Sequence, residues 1–136
     1  MLIYPFLTGC SPENTSSNNE KMPLPEKGMS AIHGRLISRN NETVTGIPVR
    51  LAKVYRGEDV DNAFFVLDEA HSPSTISNSE GQFIFTDIEP DEYVIFVGRL
   101  QADYQIISES EETPIVYEVG PNEILDLGHI FVNFNP

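Results

Sequence analysis

Asn78-Ser-Glu-Gly-Gln-Phe-Ile-Phe-Thr-Asp-Ile-Glu-Pro-Asp-Glu-Tyr-Val-Ile-Phe-Val-Gly98 is the stretch whose reading decides the fold. Asn78 to Gly81 is a polar cluster ending in glycine, a residue that takes a positive φ without steric cost. Phe83 and Phe85 alternate with polar neighbours, the period of a strand with one buried face. Glu89-Pro90-Asp91 reads as a second turn, and the apolar run Tyr93 to Val97 as a second strand. The segment therefore predicts turn, strand, short turn, strand: the hairpin of a small β-sandwich, with Gly81, Pro90 and Asp91 as its structural turn residues.

The flanking sequence extends the pattern. Upstream, Ile32, Gly34 and Leu36 share one face of a strand that ends at the turn Asn40 to Thr43, with His33, Arg35 and Ile37 on the other face. Ile47 to Tyr55 is a second strand, with Ile47, Val49 and Leu51 toward the core. Pro48 cannot donate to a ladder, so the start of this strand belongs at an edge or a bend. Arg56 to Asn62 is a charged loop, followed by the short apolar strand Phe64 to Leu67 and a lead-in from Ser74 to Ser77. Downstream, strands are predicted at Tyr104 to Ile107, Pro114 to Val119 and Leu125 to Val132. The total is about seven strands, at the short spacing of an all-β sandwich.

Several of these residues resemble the carboxypeptidase regulatory-like domain, whose fold is the transthyretin-like (prealbumin-like) sandwich. They are Gly34, Gly46-Ile47-Pro48-Val49-Arg50-Leu51, Ser79-Glu80-Gly81-Gln82-Phe83-Ile84-Phe85, Ile88-Glu89-Pro90-Asp91-Glu92-Tyr93-Val94 and Leu127-Gly128-His129-Ile130, within Ala31 to Phe134. The resemblance implies a seven-stranded antiparallel sandwich of Greek-key type. Asp91 departs from the family, which has glycine in its Pro-Gly-x-Tyr turn; aspartate tolerates the left-handed region better than most residues.

Composition agrees with this class. The chain has 136 residues, 40% of them hydrophobic, with ten Pro and nine Gly, which suits one strand-and-turn domain. The formal net charge is −13, and no Lys or Arg follows Arg99. Such a surface repels phosphate backbones, so nucleic acid is not an expected partner. One cysteine permits no intrachain disulfide.

That cysteine closes the tetrapeptide Leu7-Thr8-Gly9-Cys10, which resembles the lipobox of bacterial lipoproteins. In that family a peptidase cuts before the cysteine, and its sulfur then carries a diacylglycerol. Buried lipid methylenes at about 0.8 kcal/mol each would hold the product on a membrane. Only nine residues precede Cys10 and none is basic, which predicts a start further upstream. Ser11 to Ser30 is rich in Ser, Asn, Pro and Glu and buries too little apolar surface to offset its ordering entropy. The expected organisation is a leader over residues 1–10, a disordered tether over 11–30 and a sandwich over 31–136.

Reactive chemistry is not indicated. His33, His71 and His129 are far apart in sequence, although His33 and His129 would approach if the first and last strands were neighbours. The acidic groups Glu58-Asp59-Val60-Asp61 and Asp87 to Glu92 lack the spacing of a calcium loop. No nucleophile elbow, phosphate loop or zinc motif occurs, so neither a metal nor a cofactor is expected. Sandwiches of the related collagen-adhesin B type carry Lys–Asn isopeptide bonds. Lys53 and Asn133 are the pair to weigh here, and strand alternation turns Asn133 outward, against such a bond. Sugar binding would use aromatic platforms. Tyr55 and Tyr104, beside loops, are the candidates for exposure, whereas Tyr93 is read as core. The sequence therefore predicts a non-catalytic envelope lipoprotein, anchored through a lipid on Cys10. Its sandwich would serve adhesion, scaffolding or protein interaction, with a carbohydrate-binding module as the alternative. A homodimer through unpaired strand edges is an expected association.

Overall fold

A computed structural model describes residues 24–57, 63–110 and 113–133. Eleven strands follow one another among the described residues: β1 Ser30–Ser38, β2 Pro48–Arg56, β3 Ala63–Val66, β4 Ser74–Ile76, β5 Gln82–Ile88, β6 Asp91–Gly98, β7 Tyr104–Ile106, β8 Ser108–Ser110, β9 Thr113–Pro114, β10 Tyr117–Val119 and β11 Ile124–Val132. There is no helix among the described residues. The smaller sheet has the order β11-β1-β5. The larger has the path β10-β6-β2-β3, with β4 also on β2 and β7 also on β6, and β8 and β9 form a separate two-stranded ribbon.

The strand count exceeds the expected seven because both outer lanes of the larger sheet are broken. β3 pairs with Lys53 to Arg56 and β4 with Pro48 to Arg50, both on the edge of β2 that β6 leaves open. In the same way β7 and β10 share the far edge of β6. The larger sheet is thus four lanes wide and the smaller three.

Two further expectations need correction. The central segment is not a hairpin: β5 pairs with β1, and β6 pairs with β2, β7 and β10, so the chain crosses between sheets at Glu89-Pro90. Both strands carry large apolar residues on the face toward the other sheet, and crossing buries both sets. Phe83, Phe85 and Ile88 enter the same core as Tyr93, Ile95 and Val97. The Tyr93 hydroxyl donates to the Glu89 carbonyl at 2.6 Å and holds the crossing. Nor is the sandwich antiparallel throughout, because β11 lies parallel to β1. The chain passes from β10 to the smaller sheet through Gly120 to Glu123, where Asn122 N–H donates to Met29 O and Ala31 N–H to Glu123 O. β11 therefore starts level with β1 and must run the same way.

The alternation read from sequence places the core. Ile32 and Leu36 from β1 meet Val49 and Leu51 from β2, and Ile130 and Val132 from β11 complete the inner layer. Gly34 lies where a Cβ would stand 2.9 Å from the Phe83 ring, so this position admits no side chain without movement. Pro48 opens β2, which is a central rather than an edge strand; as its first residue Pro48 precedes the ladder to β6, which begins at Val49. The outer face of the larger sheet holds a second apolar cluster of Ala52, Val54, Val94 and Phe96. The folded body also reaches further back than Ala31. Glu26 N–H donates to Asp87 Oδ1 and Gly28 N–H to Asn122 Oδ1, and Ser30 is fully buried in β1. Cys10 and most of the expected tether lie outside the described residues.

Candidate functional site

The two flanks of the sandwich differ. On one, β11 is stitched to β7: Gln105 Nε2 donates to Phe131 O, and Asn133 N–H donates to Gln105 Oε1. Ile107 and Ile115 pack into the core behind this seam. On the other, the three-lane sheet ends at β5 while the larger sheet runs one lane further, to β3 and β4. The difference leaves an open groove of about 690 Å³.

Its floor is the inner face of β2 and β3, with Leu51, Lys53, Tyr55 and Val66. One wall is β5, from Ile84 to Ile88; the other is the loop Asp68 to Pro73. Tyr55 stands opposite Phe64 in the β2–β3 ladder, and their rings stack with centroids 5.6 Å apart. The pair is solvated, with Tyr55 43% and Phe64 57% exposed. Lys53 Nζ lies 3.1 Å from Asp91 Oδ2 and 5.7 Å from the Tyr55 ring centre. The Asp91 hydrogen bond, then its charge, raise the lysine above its ordinary pKa. Across the floor, burial pushes the Tyr93 phenol up to about 12, with Asp91 and Glu89 adding to it, so this hydroxyl remains a donor at all ordinary pH.

The loop wall is folded on itself. Asp68 accepts from Ala70 N–H and lies 2.8 Å from His71 Nδ1, and the Ser72 hydroxyl accepts from Asp68 N–H. The His71 hydrogen bond, then that from Ala70, hold the Asp68 carboxyl below its usual range. On the β5 wall a bulge occurs. Three residues of β1, Ile32 back to Ser30, span four of β5, Phe85 to Ile88, and Asp87 takes φ 55° there. The expected left-handed aspartate is therefore Asp87 and not Asp91, which lies extended in β6.

Tyr55 and Tyr104 are both exposed as expected, but they do not form one surface. Tyr104 pairs with Gly98 on the outer face of the larger sheet and stacks on Phe96 at 5.7 Å, while Phe65 meets Phe96 edge-on at 5.8 Å. These three rings make a stripe on the side opposite the groove. Sequence reading missed Phe64 and Phe65, because a short apolar run looks the same whether buried or at an edge. The available signal was register: closing the charged loop as a hairpin makes Tyr55 and Phe64 cross-strand neighbours.

The remaining candidates separate. β1 and β11 do adjoin, yet His33 pairs with Asp126 and His129 with Arg35. No cluster of three His, Cys, Asp or Glu suited to a metal occurs among the described residues. Lys53 is held by Asp91, whereas Asn133 Oδ1 accepts from Arg39 Nε.

No protein-family model matches the chain, and no curated protein matches it. Solved structures do. The major pilin subunit BcpA of Bacillus cereus is similar at 17% identity and TM-score 0.50, over 77% of this chain and 30% of that one. A group B streptococcus pilus 2b backbone protein is similar at 13% identity and TM-score 0.46, over 77% of this chain and 40% of that one. A candidate carbohydrate-binding protein of Pseudomonas aeruginosa is similar at 16% identity and TM-score 0.47, over 80% of this chain and 92% of that one. The chain thus spans less than half the length of the two pilus proteins. At this identity the likeness concerns the β-sandwich fold alone.

Proposed function

We propose that this protein is a non-catalytic contact module of the cell envelope, carried by a lipid on Cys10 and a polar tether. One observation carries the reading. The larger sheet leaves aromatic side chains in water on both faces, Tyr55 and Phe64 on one and Phe65 and Tyr104 on the other. Large aromatics exposed in groups lose free energy in the isolated protein and regain it when another surface covers them. The surrounding charges are paired with one another, as in Lys53–Asp91 and Arg56–Glu92, an arrangement that orients side chains for contact.

The Tyr55–Phe64 stack beside carboxylates also favours a second reading, a sugar site, since a pyranose face packs on such rings while its hydroxyls meet Asp87 and Glu89. A glycan array probed with the purified chain separates the two. The contact-module reading expects no saturable glycan signal. Saturable binding lost in Tyr55→Ala would establish the sugar reading instead, and loss in Tyr104→Ala alone would place a sugar on the opposite stripe. Turnover of any compound by the purified protein would refute both.

A further inference from the structure

The groove has the dimensions and the walls of a missing strand. The smaller sheet is one lane short of the larger one, and the shortfall lies beside β5. No described strand pairs with that edge of β5. Leu36 N–H donates to Gly81 O, so the pairs Leu36–Gly81, Gly34–Phe83 and Ile32–Phe85 are the hydrogen-bonded ones. The alternate residue Ile84 therefore turns its backbone N–H and C=O away from β1, toward the groove, and Ile84 and Thr86 line it. Beneath that edge lie Tyr55 and Val66, each 43% exposed, in the positions an added strand would cover.

We infer that an extended segment of a partner protein, with apolar residues alternating with basic ones, adds to β5 as a fourth lane. This rests on the contact-module reading and names the partner's chemistry. Strand addition supplies main-chain hydrogen bonds, and alternate side chains supply selectivity. The apolar positions would descend onto Tyr55 and Val66. Basic positions are selected by charge: Asp68, Asp87 and Glu89 line the groove, its Lys53 is already matched by Asp91, and the whole chain carries −13. The same charge disfavours a second copy of this chain as the occupant. Ahead of the bulge at Asp87, whose φ of 55° breaks the extended edge, Ile84 to Thr86 offer a pairing edge of about three residues, roughly 10 Å.

The test is an array of synthetic nonapeptides in which Val or Ile alternates with Lys, Arg, Glu or Ser, probed with the full-length chain. Lys- and Arg-alternating peptides should be retained, and Glu- and Ser-alternating ones should not. N-methylation of the bonding edge should weaken binding by about tenfold or more, since two main-chain hydrogen bonds are lost. Tyr55→Ser and Val66→Ser should weaken it similarly with unchanged circular dichroism, while Phe131→Ala, on the far face of the smaller sheet, should bind as the parent does. Amide resonances of Ile84 and Thr86 should shift on titration. Retention of no basic-alternating peptide, indifference to N-methylation, shifts confined to other strands, or a glycan or second copy occupying the groove instead would each overturn the inference. All of these but the glycan outcome leave the contact-module reading standing, because that reading is checked separately by the glycan array, turnover and the Cys10 measurement.

Discussion

Gly81 is a position where one hydrogen decides the local backbone. Its φ of 78° is the value the Asn78–Gly81 turn was expected to need, and a Cβ there would lie 2.7 Å from the Leu36 carbonyl oxygen. Gly46 has a similar φ of 73° but open space around its Cβ. Gly46→Ala should therefore cost about 1–2 kcal/mol, the left-handed penalty alone, and Gly81→Ala clearly more, as urea unfolding would measure. Equal losses would mean the Leu36 contact has no weight. Gly34→Ala tests crowding without backbone strain. Overpacking against the Phe83 ring should cost about 1–3 kcal/mol, and Phe83→Leu in the same chain should restore part of it. Aspartates teach the opposite lesson, since residue type permits the left-handed region at both Asp87 and Asp91, and only the bulge against β1 selects Asp87.

Among elements, the crossing between β5 and β6 matters most. Tyr93→Phe removes the bond to Glu89 O and should lower stability by about 0.5–1.5 kcal/mol without altering the fold. The β2–β6 pairing is reinforced on the outer face by Arg56, whose Nε and Nη2 donate to the two carboxylate oxygens of Glu92 at 2.9 and 2.8 Å. The Arg56 hydrogen bond holds Glu92 below its ordinary pKa. A folded pKa below the unfolded one contributes stability that is present above the ordinary glutamate range and is lost as pH falls through the folded value. Arg56→Met should therefore melt slightly below the parent at pH 7, and the gap should close in strong acid. A gap that persists there would assign the difference to packing of the arginine stem.

For the whole molecule, the asymmetry of the two flanks is the main consequence of the topology. A three-lane sheet over a four-lane one cannot cover both outer lanes, and Gln105 with Ile107 and Ile115 already closes one side. The other side stays open, and its aromatic floor is available for contact. Anchoring is tested at this scale too. Expression with the upstream region should give a membrane-associated product that Cys10→Ser releases into the soluble fraction. Unchanged fractionation would remove the lipid from the account.

Alternation along Ile32 to Leu36, Ile47 to Leu51 and Phe83 to Phe85, with the apolar run Tyr93 to Val97, was enough to establish an all-β sandwich and most of its core. A side chain's face follows from the two-residue period of a strand, whatever its partners. Pairing does not follow from that period. Which sheet β5 joins, the parallel direction of β11, the exposure of β3 and the separation of Tyr55 from Tyr104 depend on lanes contributed by residues distant in the chain. Local pattern says which side of a strand is apolar, while only the assembled layers decide whether anything covers it.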